Sequence, residues 1–215
     1  MRGKRVVVEP ISAERHGATL FDAYSEDAVG RNWTYMPVGP FPTFDVFRAW
    51  LLEAEQSSDP MFHAILDAEN GEAKGVASFL RLSPNDGVIE VGYICYAPKL
   101  QGTAASTEAM YLMMRRVFDE LGYRRYEWKC DALNAPSRKA AERLGFRFEG
   151  IFRQATVYKQ RNRDTAWHSI LDTEWPSTKA AFEAWLDPQN FLENGGQKRS
   201  LTEIRRSTLA EPIYP

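Results

Sequence analysis

The sequence predicts one mixed α/β domain built around a largely antiparallel sheet with helices at its flanks. Three observations carry this expectation. The chain has 215 residues, 44% of them hydrophobic and 26% charged, which suits one well-buried globular domain. Its apolar pattern alternates between strand and helix spacing in the order β, α, α, a β meander, then α-β-α-β-β. Tight-turn residues, Asn70-Gly71 and Pro84-Asn85-Asp86-Gly87, punctuate the meander.

The first strand is expected over Arg5 to Glu9, on the run Val6–Val8. Ser12 then caps a helix that reaches about Tyr24. Gly30 to Pro42 is proline-rich yet apolar, and reads either as a core plug or as the wall of a binding site. Thr43 caps a second helix whose apolar face holds Phe44, Phe47, Trp50 and Leu51. Strands follow at Phe62–Asp67, Gly75–Leu82 and Val88–Tyr96, the last one ended by Pro98. A helix from about Ser106 to Leu121 carries a stripe of Met110, Met113, Met114 and Val117, and Gly122 stops it. Tyr126–Asp131 is a strand and Ala135–Leu144 a short helix ended by Gly145. Phe146–Gly150 and Thr165–Glu174 are strands, with Arg161, Arg163 and Asp164 in a charged turn between them. Ser177–Trp185 is an amphipathic helix, free to cover the sheet or a neighbouring copy, which leaves a homodimer open. Residues 1–193 are thus the expected domain. Residues 194–215, with four basic and two acidic side chains, are the expected polar, mildly basic tail.

Charge excludes several function classes. Lys+Arg number 27 and Asp+Glu 29, a formal net charge of −2, which argues against a surface built to coat a polyanion. A solvated terminus is the default for the tail, with a nucleic-acid-binding arm as its alternative. Cys95 and Cys130 are the only cysteines. With three scattered histidines they provide neither a disulfide framework nor zinc-ligand spacing, so no metal is expected. No apolar run is long enough to span a bilayer, and the first ten residues hold no signal-peptide core. The default location is the cytoplasm.

The informative junction is Ile94-Cys95-Tyr96, the loop after it, and the helix that follows. Gly102, Thr103, Ala104, Ala105, Ser106 and Thr107 are all small. Small residues let a backbone approach a ligand closely, and unpaired amides at a helix start favour an anion. The spacing fits neither a Walker loop nor a Rossmann fingerprint, so an ordinary tight turn stands beside the phosphate reading.

Downstream, Asn134-Ala135-Pro136-Ser137 leads to Leu144-Gly145-Phe146. With these two motifs in place, Met61 to Leu171 resembles the GNAT superfamily of acetyl-CoA-dependent N-acetyltransferases. It looks most like the branch that contains ribosomal-protein N-terminal acetyltransferases and small-molecule relatives. Gln101 through Ser106 occupies that family's pyrophosphate loop, with Ala104 and Ser106 at positions where the family favours other small residues. The resemblance implies a splayed sheet in which Ile94, Cys95 and Tyr96 pair with the pantetheine arm of acetyl-CoA. It implies that Asn134 holds a pantetheine amide and that Ser137 lies near the sulfur. Many family members place a proton-donating tyrosine where this chain has Ala141, and Ser137 takes that role in the resembling branch.

The acceptor is expected to be an amine, on a small molecule or a protein N-terminus. Glu90 shares the strand face of Ile94 and is either the general base, an anchor for the substrate ammonium, or an ordinary strand carboxylate. Trp33 and Tyr35 either line the acceptor pocket or pack in the core. A non-catalytic acyl-CoA-binding module and an acyltransferase using succinyl-CoA or another donor are the rival functions. Cys95 reads as a buried strand residue, with no histidine nearby in sequence to activate it.

Overall fold

The computed structural model of the chain describes residues 1–210. Seven strands form one sheet: β1 Val6–Pro10, β2 Met61–Asp67, β3 Ala73–Ser83, β4 Val88–Tyr96, β5 Arg125–Asp131, β6 Arg147–Tyr158 and β7 Arg161–Leu171. Their order across the sheet is β1-β2-β3-β4-β5-β7-β6. Every neighbouring pair is antiparallel except β4 and β5.

Six α-helices accompany the sheet: α1 Ala13–Ser25, α2 Phe44–Gln56, α3 Ala104–Arg115, α4 Ala135–Leu144, α5 Trp175–Leu186 and α6 Leu201–Ala210. The expected caps form at Ser12 and Thr43, whose side chains accept from the backbone N–H three residues on, and the Asn134 side chain caps α4 in the same way. One apolar layer packs Leu20, Phe47 and Leu51 of α1 and α2 on Ala64, Val76 and Cys95. On the other face Met113, Met114, Phe182 and Leu201 pack on Ile89, Val91 and Ile170. Both layers are needed because a sheet buries apolar side chains on alternate sides.

α3 is pinned to the sheet edge by a buried carboxylate. Glu108 accepts from the backbone N–H groups of Lys4, Arg5 and Val6 at 3.1, 2.6 and 3.1 Å. This fixes the start of the helix relative to β1.

Four expectations need correction. The helix begins at Ala104, not Ser106, because the Thr103 hydroxyl caps it at Ser106 N–H (3.1 Å). Only Gly102 and Thr103 of the small-residue run therefore lie outside the helix, and Gly102, at φ +70°, needs its glycine. β6 extends to Tyr158, so the hairpin tip is Lys159-Gln160, while Arg161, Arg163 and Asp164 belong to β7. The expected tail is structure: Leu201 and Ile204 of α6 are 0% and 5% exposed, buried with Ala181, Phe182 and Leu144 in one cluster. Its sparse apolar residues fall one turn apart, which is enough to bury a helix face. Residues 211–215 of that segment lie outside the described residues. α5 covers the α3 layer of its own chain.

Candidate active site

β4 is paired along nearly its whole length with β3, as far as Gly75↔Tyr96. With β5 it pairs only from Val88↔Arg125 to Val91↔Trp128. Beyond Val91 the two parallel strands part. On the β3 side, Val76 pairs with Cys95 but Ser78 with Gly92, so β4 carries one extra residue and bulges there. Tyr93 lies in the bulge at φ +49°.

The gap opens into a cleft of about 830 Å³, within the size range of small-molecule sites. Ile94 and Tyr96 line it from β4, Gln101 through Ala104 with Ser106 and Thr107 from the loop and α3, and Trp128 from β5. Asn134, Pro136 and Ser137 line it from the start of α4. Of the residues expected from sequence, ten meet there. Cys95 and Ala105 are not among the lining residues. Cys95 turns its thiol into the α1–α2 layer, where burial pushes it up to about 12. It is thus no nucleophile.

Several polar atoms in the cleft already have work. The Asn134 side-chain oxygen accepts from Ser137 N–H (3.2 Å), so the amide expected to use both donor and acceptor on a ligand has only its NH₂ to offer. Gln101 Nε2 donates to the Tyr96 carbonyl and to Asn32 Oδ1, both at 2.8 Å. Asn32 Nδ2 reaches the same carbonyl at 3.2 Å, so that carbonyl is tied to its own loop. Trp128 Nε1 donates to Ser137 Oγ at 3.0 Å. The Ser137 oxygen is thereby held as an acceptor, and its own O–H is left to donate elsewhere. Ala104 and Ala105, the first helical residues, have no intrahelical partner for their amides.

Glu90 is placed differently from the expectation of a base. It lies on the face opposite Ile89 and Val91, is 3% exposed, and does not line the cleft. Its two oxygens accept from Arg81 Nη1 at 2.9 and 2.7 Å, and Lys129 Nζ lies 3.0 Å away. Both carboxylate oxygens are thus engaged by cations of neighbouring strands rather than turned to the cleft. Among the described residues, no Asp, Glu or His lines the cleft.

Trp33 is 4% exposed and packs edge-on against Tyr24 and Phe41 at 5.0 and 5.2 Å between centroids. Of its two readings, core packing holds. Tyr35 is not among the lining residues; its hydroxyl donates to the Leu133 carbonyl (3.1 Å), just before Asn134. The same loop is fastened to the hairpin tip. Lys159 Nζ donates to the carbonyls of Trp33 and Gly39 at 2.8 and 2.7 Å, and Arg161 donates to that of Thr34 at 2.8 Å.

Sequence reasoning missed Met110, Trp128, Arg143, Trp185, Phe191 and Gln197, which also line the cleft. Their signal was weak because each reads locally as ordinary core or surface, and only the packing of α5 and the chain after it brings them together.

Comparison with known proteins agrees with this geometry. A family model described as "Acetyltransferase (GNAT) domain" matches residues 5–147. Among solved structures, the chain is similar to a GCN5-related N-acetyltransferase from Brucella melitensis, at 49% identity and TM-score 0.93, covering 95% of this chain and 93% of that one. It is also similar to a GNAT-family acetyltransferase from Chromobacterium violaceum, at 41% identity and TM-score 0.76, covering 81% and 87%. A curated relative is YdaF of Bacillus subtilis, provisionally named a ribosomal N-acetyltransferase. It is 28% identical over 110 residues, 51% of this chain and 60% of that protein.

Proposed function

The chain belongs to the GNAT acetyltransferase family, and from that premise we propose that it moves the acetyl group of acetyl-CoA onto an α-amine by direct attack in a ternary complex. The observation that carries this reading is the gap where β4 leaves β5 at Val91, flanked by Ser137 with its hydroxyl held by Trp128.

The residues present fit the donor. The free amides of Ala104 and Ala105, beside Gly102, suit a pyrophosphate at the helix start. The Asn134 NH₂ suits a pantetheine carbonyl, and the unpaired edge of β4 at Ile94 suits the rest of that arm. When bound, acetyl-CoA supplies the activated acetyl thioester.

The chain's own groups then have defined tasks. Backbone N–H groups at the parting of β4 stabilise the negative charge that develops on the carbonyl oxygen. Ser137 donates its hydroxyl hydrogen toward the departing thiolate, because its oxygen is already engaged by the indole.

The acceptor class follows from the base that is missing from the lining. Releasing a neutral lysine amine at pH 7 costs about 4.6 kcal/mol, whereas an α-amine costs about 1. A cleft lined, among the described residues, by no carboxylate or imidazole is suited to the amine that needs least help. The provisional description of YdaF points the same way.

The experiment is thiol release at saturating acetyl-CoA with two peptides, one with a free N-terminus and no lysine, the other N-blocked with one lysine. Turnover confined to the first is expected. Faster turnover of the lysine peptide would overturn the acceptor assignment, and release with neither across an amine panel would leave a binding module.

A further inference from the structure

The outer end of the cleft is built by chain beyond the 5–147 match. Trp185 of α5, Phe191, Gly195 and Gln197 line it together with Thr107 and Arg143. This wall is internally braced. Trp185 Nε1 donates to Gln197 Oε1 at 2.8 Å, and the Phe191 ring stands edge-on to the indole with centroids 5.3 Å apart. A β-bridge joins Phe191 to Gln197.

Arg143 lies over this wall. Its Cζ is 5.2 Å from the Trp185 ring centroid, and its Nη1 donates to Thr107 Oγ1 at 3.1 Å. Among the described residues no carboxylate lies within ion-pairing distance of it. One hydroxyl satisfies one of five guanidinium donors, and the half-buried group has an aromatic face behind it and open cleft in front. Burial lowers its proton affinity, and no partner offsets that cost. Arg125 of β5, also half-buried, has by contrast two carboxylates in contact. An uncompensated guanidinium facing a cavity is the arrangement that an anion completes.

We propose that the outer end of the cleft is a phosphate subsite, formed by Arg143 and walled by the segment from Trp185 to Gln197, that selects a donor bearing a phosphate on the ribose 3′ oxygen. This rests on the reading of the cleft as the acetyl-CoA site. A pyrophosphate at the start of α3 uses the amides of Ala104 and Ala105. Thr107, which Arg143 contacts, lies roughly one helical turn, ~5 Å, further along. The next anionic group of the donor is the ribose phosphate, and Arg143 is the cation beside it.

The test is calorimetric binding of CoA and of 3′-dephospho-CoA to the unaltered chain, Arg143→Gln and Arg143→Lys, with thermal unfolding of each free protein. The unaltered chain is expected to favour CoA by about tenfold or more. Arg143→Gln should erase that preference by weakening CoA alone. Arg143→Lys should keep part of it, and the free variants should unfold at the temperature of the unaltered chain. Equal binding of the two nucleotides by the unaltered chain would remove the subsite and leave the donor site standing. Equal weakening of both by Arg143→Gln would assign the guanidinium to the pyrophosphate instead. Binding of neither nucleotide by the unaltered chain would overturn the donor site itself, and the subsite with it.

Discussion

Two charged regions lie on opposite faces of the sheet, and they are completed in opposite ways. Around Glu90 the charges alternate in a closed ladder: Arg81, Glu90, Lys129, Glu127, Arg125 and Glu149, each within 3.0 Å of the next. Lys129 also sits 3.8 Å above the Trp167 ring. Three cations meet three carboxylates, so nothing is left for a ligand. Around Arg143 one cation meets a hydroxyl, an indole face and a cavity. A buried charge that is balanced from within serves the fold, and one that is not marks the place where a partner of opposite sign belongs.

A large effect should come from opening the balanced region. Glu90→Ala takes one of two carboxylates from the buried Lys129 and both acceptors from the largely solvated Arg81, and should cost about 2–3 kcal/mol of stability, read from the urea midpoint. Glu90→Gln should keep most α-amine turnover per folded molecule. An unshifted midpoint with abolished turnover would reverse the comparison and make Glu90 part of the reaction.

Leu201→Ala tests whether the wall of the unbalanced region rests on real packing. Leu201 is fully buried, so the loss should be about 2–5 kcal/mol. A neutral effect would return residues 194–210 to the status of a tail.

Within the cleft, Ser137→Ala should lower kcat by roughly 10²-fold, at the low end for a proton-transfer group, with acetyl-CoA affinity unchanged. Trp128→Phe should lower kcat less, and should add nothing in the Ser137→Ala background, because the indole acts only through that hydroxyl. Additive losses would separate the two residues.

The smallest effect concerns the exposed end of the ladder. Arg125, with help from Ser169, holds the Glu149 carboxyl down at about 2, against an ordinary 4.5. A depressed carboxyl stabilises the fold fully above its unfolded value and loses that share as pH falls toward 2. The difference in urea midpoint between the unaltered chain and Glu149→Gln should therefore be constant above pH ~5 and shrink below pH ~4. Because the pair is partly solvated, it should stay under about 1 kcal/mol. A difference that grows on acidification would contradict the pairing.

What could be read from sequence was local. The strand, glycine turn and helix around Gly102 are neighbours in the chain, as are Asn134 and Ser137, and their chemistry is visible in a stretch of a dozen residues. Strand alternation placed Glu90 on a face, but Arg81 and Lys129 reach it from two other strands, and a single strand carries no sign of them. The capping bond that uses the Asn134 oxygen follows from helix chemistry and was open to inference. Arg143 and Trp185 are 42 positions apart, and nothing in either neighbourhood announces the other. The segment after Asn194 looked polar because a helix needs only Leu201 and Ile204 on one side to be held.

The central claim is that the gap between β4 and β5 holds the acetyl donor, and the most direct measurement is calorimetric titration of the purified chain with acetyl-CoA. One equivalent should bind per chain with saturable heat, at an affinity that Glu90→Gln leaves unchanged. Absence of binding at millimolar acetyl-CoA, with the chain folded, would contradict the account.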